Sequence, residues 1–139
     1  MEKNSQRLEF CMVFNYKNIL ILQAVWIVVV GLLFWLVPDK RIAGVIAGVG
    51  FIFIPCAVIY SEFKKPQKDV NVILPALVFL LASALPIFFL RVLNWSKDFK
   101  ELSFLGFSAE QLHQASNLLY GLMMAGVLVA LLKEKKPTK

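Results

Sequence analysis

The chain has 139 residues, 59% of them hydrophobic and 17% charged. A soluble domain is roughly 45–50% apolar and about 25% charged, and a chain this short has too little interior to hide the excess. Disorder is excluded too, because its signature is low hydrophobicity; with a mean hydropathy of +0.71, hydrocarbon is the expected solvent for most of the chain.

The charges bound four windows. Residues 18–38, 42–61, 70–90 and 111–132 contain no Asp, Glu, Lys or Arg. About 20 helical residues rise about 30 Å, the thickness of a bilayer's hydrocarbon. The pattern predicts an all-α, integral membrane bundle of four transmembrane helices. They should lie at about 18–37, 42–60, 71–91 and 110–132 in one membrane domain covering residues 1–139. The first apolar run exceeds a signal peptide's core of about 7–15 residues and lacks a small-residue cleavage site, so the first helix is expected to be retained.

The connections follow in order. Pro38 should stop the first helix and Asp39 should cap the second. A short polar turn with Pro66 leads to the third helix. In the third loop, Ser96 could cap a short surface helix with Phe99, Leu102 and Leu105 on one side and Gly106 ending it. Trp95 suits an interfacial belt. Ser108 and Gln111 read as a capping box that opens the fourth helix.

Four spans put both termini on one side. That side carries Lys3, Arg7, Lys17, Lys64, Lys65, Lys68, Lys133, Lys135, Lys136 and Lys139. The other carries Lys40, Arg41, Arg91, Lys97 and Lys100. The positive-inside rule then predicts cytoplasmic N and C termini, with a bacterial inner (plasma) membrane as the expected location. The net charge of +6 reflects orientation and contact with anionic lipid. The cations flank helices and form no contiguous patch, so a nucleic-acid partner is not expected.

Small residues mark packing faces. Ala43, Gly44, Ala47 and Gly48 form one on the second helix, with Gly44 and Gly48 in GxxxG spacing. The fourth helix has Gly121 with Ala125, and Gly126 with Ala130. Such residues let helix backbones approach closely, within the bundle or against a partner. Pro75 should sit in the first turn of the third helix. Pro55 and Pro86 should kink their helices and free the carbonyls of Phe51 and Ala82, with Ser83 placed to help.

The search for chemistry is mostly negative. Cys11 and Cys56 form no close thiol pair. Glu110 and His113 have Glu-x-x-His spacing, but a di-iron site needs two copies. The chain has one His and, apart from Glu110 at the very edge of the fourth, no acidic residue inside a predicted span, so no metal and no cofactor are expected. One polar stripe remains at the outer end of the fourth helix: Glu110, His113, Gln114 and Asn117. Arg91 should lie at similar depth and pair with Glu110. Deeper in the spans only Gln23 and Ser83 are polar, which counts against a proton-coupled pump.

The expected partners are the lipid bilayer and either further copies of the chain or a larger membrane complex. The leading expectation is a non-catalytic accessory, assembly or interaction subunit. The rival is an oligomeric channel or transporter for a small solute or ion, lined at its outer mouth by the polar stripe. A membrane-embedded enzyme comes third.

Overall fold

A computed structural model describes residues 15–135. The tail cations Lys3, Arg7, Lys136 and Lys139, and Cys11, lie outside the described residues. Four helices are long and apolar enough to cross a membrane: α1 (Tyr16–Leu36), α2 (Lys40–Phe63), α3 (Val70–Leu93) and α4 (Ala109–Glu134). Consecutive helices pack side by side, and α1 also packs on α4, which closes an up-and-down ring. The N-terminal end of α1 and the C-terminal end of α4 share one end of the bundle. The turn between α1 and α2 and the longer loop between α3 and α4 form the opposite, loop end.

Helix boundaries follow local chemistry. The Asn15 side chain accepts a hydrogen bond from the Asn18 backbone N–H at 2.8 Å. Asp39 accepts from the Arg41 N–H at 2.9 Å, and Asp69 from the Asn71 N–H at 3.0 Å. Ser108 and Gln111 form the full capping box at the start of α4. Each cap satisfies N–H groups that a helix start leaves without intrahelical partners. At the other end of α1, Lys40 Nζ donates to the carbonyls of Phe34 and Val37. Lysine is well placed there, since it meets unpaired carbonyls at a helix C-terminus.

The interior is aromatic and aliphatic. Phe51 sits edge-on to Trp26, Phe79 and Tyr120, with ring centroids 6.3, 6.2 and 5.4 Å away. Ile19, Ile54, Val58, Val72, Met123 and Val127 surround this cluster and are fully buried. Many large apolar side chains point outward instead, among them Val28, Trp35, Phe53, Leu81 and Leu122. Water would penalise that surface by about 25 cal/mol per Å², whereas hydrocarbon does not.

The prolines behave differently from one another. Pro75 lies in the second turn of α3, deeper than the first turn expected, because α3 starts at Val70. It cannot donate to the Asn71 carbonyl four residues back. Gly126 of α4 packs on that same carbonyl: a Cβ there would stand 2.7 Å from the Asn71 oxygen. Pro86 is preceded by a π-helical turn over Leu80–Ala84. The wider turn lets the chain admit a residue without an N–H. Ser83 makes no hydrogen bond there, contrary to the expected help. Pro55 lies inside α2, which continues through it.

The loop between α3 and α4 also differs from expectation. A surface helix capped by Ser96 does not form. Asp98 caps a single 3-10 turn at Phe99–Glu101, and a hairpin follows, pairing Ser103 with Ser108 and Phe104 with Phe107. Leu105 and Gly106, at φ 51° and 85°, make its two-residue turn. Positive φ at both positions matches the twist of a tight hairpin. Leu102 is buried while Leu105 is 82% exposed, so the expected common apolar face is split.

Candidate functional site

The small-residue faces divide into inward and outward sets. Ala43, Gly44, Ala47 and Gly48 are all buried. A Cβ at Gly48 would meet the Phe88 ring at 2.8 Å, and one at Gly44 would overlap the Arg91 guanidinium. This GxxxG face is therefore filled by α3 of the same chain. On α4, Gly126 packs on α3 and Ala130 is buried. Gly121 and Ala125 face outward, with nothing within 4 Å of a Cβ built on Gly121.

The polar stripe of α4 is also outward. Glu110, His113, Gln114 and Asn117 are exposed, while Leu112, Tyr120, Met123, Val127 and Ala130 of the same helix are buried. Residues spaced three and four apart share a helix face, so the polar stripe runs directly into Gly121 and Ala125. This face is polar at its start and smooth below.

Arg91 does not join that stripe. Its guanidinium lies 3.9 Å from the Phe99 ring centroid and against Gly44. Among the described residues the ion pairs are Asp39–Arg41, Glu62–Lys65 and Lys65–Glu134. The expected Arg91–Glu110 pair is absent: Arg91 is held against Phe99 and Gly44 of α2, and Glu110 is exposed. Arg91 instead lines a recess with Arg41, Asn94, Trp95, Lys97, Phe99 and Leu102. Arg41 stands 5.6 Å from the Trp95 ring centroid and donates to the Trp95 carbonyl at 3.3 Å. Its hydrogen bonds to Asp39 hold that carboxyl below the usual range for an aspartate.

The terminal end contains a site missed by the charge-boundary reading. Glu62 is the charge that closes the 42–61 window. It lies within the last turn of α2 and is fully buried. Tyr16 donates its hydroxyl proton to Glu62 Oε1. Lys65 Nζ donates to the same oxygen at 2.9 Å, and the Asp69 backbone N–H to Oε2 at 3.0 Å. Lys65 also covers the Tyr16 ring, 3.1 Å from its centroid, and reaches Glu134 at 3.8 Å. One carboxylate thus joins α1, α2 and the following turn, and its lysine continues the link to α4. The sequence signal was Glu62 and Lys65 at i, i+3 beside an apolar run.

Among the described residues, four buried side-chain polar atoms lack partners: both amide atoms of Gln23, the Trp26 indole nitrogen and the Ser83 hydroxyl. The Gln23 backbone carbonyl does accept from the Tyr120 hydroxyl at 2.9 Å. Among the described residues, no three His, Cys, Asp or Glu side chains gather as metal ligands would. No protein family, curated protein or solved structure matches the chain.

Proposed function

We propose that this chain is a non-catalytic, multi-pass membrane protein that serves as an interaction or assembly subunit. It docks another transmembrane helix on the outward face of α4. The carrying observation is the exposed run of Gln114, Asn117, Gly121 and Ala125. Asn117 lies about 12 Å from the start of α4 at 1.5 Å per residue, within the hydrocarbon of a centred helix. An amide facing lipid has no hydrogen-bond partner, and each such group costs several kcal/mol. A neighbouring helix supplies the partner, and the small residues below allow its backbone to approach closely. The distribution of Lys and Arg supports cytoplasmic termini in a bacterial inner membrane.

The test is affinity capture of the tagged chain from its native membrane. Gln114→Leu with Asn117→Leu and Gly121→Leu should abolish co-purification of the partner helix protein, or of a second copy if the assembly is homomeric. Ile46→Leu, on the exposed side of α2, should leave it intact. Retention of every partner by the triple variant contradicts the proposal.

A further inference from the structure

We propose that the cationic recess at the loop end binds a phosphate-bearing anion, with Arg91 as its principal contact. The recess lies between α2, α3 and the following loop, away from the outward face of α4, and stands independently of the docking proposal. Its inner part is lined by Arg41, Arg91 and Lys97 and by no acidic side chain. Arg41 is answered by Asp39. Arg91 is half-buried, and among the described residues its guanidinium has neither an ion pair nor a hydrogen-bond acceptor. A guanidinium carries five N–H donors in a fixed fork. Withdrawing it partly from water without an acceptor is costly, and an anion supplies both the acceptor and the charge.

The geometry suits a phosphate oxygen. Stacking on Phe99 and packing on Gly44 hold the Arg91 fork in place. Its N–H groups give a phosphate oxygen entering the recess charge-assisted hydrogen bonds. The inner recess has a volume of about 20 Å³, room for one water-sized atom. It adjoins an open cleft of about 460 Å³ that shares Arg41 and Lys97. Asp39, Lys40 and Asp98 line only this outer cleft. Lys40 is engaged by the carbonyls ending α1, Asp39 by Arg41, and Asp98 by the Lys100 N–H at 3.5 Å. The ligand therefore enters with its phosphate toward Arg91, past a rim of mixed charge. Trp95 and Leu102 supply an apolar wall suited to an acyl segment. The same chemistry fits a lipid phosphodiester or free phosphate, and the recess lies at the helix ends where lipid headgroups are expected.

Native mass spectrometry of the whole protein, with equal amounts of phosphatidylglycerol and phosphatidylcholine, tests the lipid source. Calorimetric titration with inorganic phosphate tests the free anion. A lipid site predicts at least tenfold preference for phosphatidylglycerol, lost in Arg91→Gln and reduced several-fold in Lys97→Gln. Lys97 is exposed, so that variant remains informative should Arg91→Gln fail to fold. Lys64→Gln with Lys68→Gln, at the terminal end, should keep the preference. A free-phosphate site predicts instead saturable phosphate binding that both Arg91→Gln and Lys97→Gln weaken. Absence of selective binding to either probe, or binding unchanged in Arg91→Gln and Lys97→Gln, overturns the proposal.

Discussion

At the terminal end of the bundle, Glu62 is fully buried, and Tyr16, Lys65 and the Asp69 backbone surround it with donors. At the loop end, Arg91 lines an inner recess with Arg41 and Lys97 and no acidic side chain. Both ends place charge beside apolar helices, but they resolve it differently. The terminal end neutralises its charge internally and uses it to tie together all four helices' ends or connecting turns. The loop end leaves positive charge available to a ligand. Burying a charge is tolerable only when it is paired and hydrogen-bonded. An answered charge therefore reads as a structural clamp, and an unanswered one as a place to look for something missing.

Substitutions at the two ends should separate these roles. The largest stability effect is expected for Glu62→Ala, which strands the Tyr16 hydroxyl and the Asp69 N–H and removes the lysine's buried partner. A loss of about 2–4 kcal/mol is expected from the usual cost of breaking charged hydrogen bonds and buried pairs. The partial exposure of Lys65 keeps it from the top of the range. Lys97→Gln, at the other end, should stay within about 0.5 kcal/mol of wild type, as surface changes do. Reversible unfolding in detergent measures both. Equal losses would erase the distinction between the ends.

The small-residue faces sharpen the same contrast at lower magnitude. Gly48→Leu forces a side chain into Phe88 and should cost about 1–3 kcal/mol, the usual range for overpacking. Gly121→Leu meets open space and should leave the isolated bundle's stability nearly unchanged. If Gly121→Leu destabilises the isolated protein as much as Gly48→Leu, the outward face of α4 is not free.

The features legible in the sequence were local ones. Four uncharged windows marked the helices because span length and charge exclusion depend on little else. Asp39 and the Ser108–Gln111 pair were readable as caps because a cap needs only neighbours within a turn. Glu62 was not readable as a clamp, since its burial depends on Tyr16, 46 positions away. The hairpin was hidden for another reason. Phe99, Leu102 and Leu105 have helical spacing over too few residues to outweigh the Leu105–Gly106 turn. Arg91 was expected beside Glu110 and lies instead against Phe99 and Gly44, because sequence gives depth along a helix but not rotation about it. The same gap concealed which small residues of α4 face inward: the helix is apolar almost all round below Asn117, and only packing distinguishes Gly126 from Gly121.

Site-specific photo-cross-linking along α4, in the native membrane, tests the docking proposal most directly. A cross-linker placed in turn from residue 113 to residue 126 reports contact at each position. Strong adducts at 114, 117, 121 and 125, with weak ones at the intervening buried positions 120 and 123, are the result expected of a partner helix on the outward face. Adducts to lipid alone at all four outward positions would contradict it.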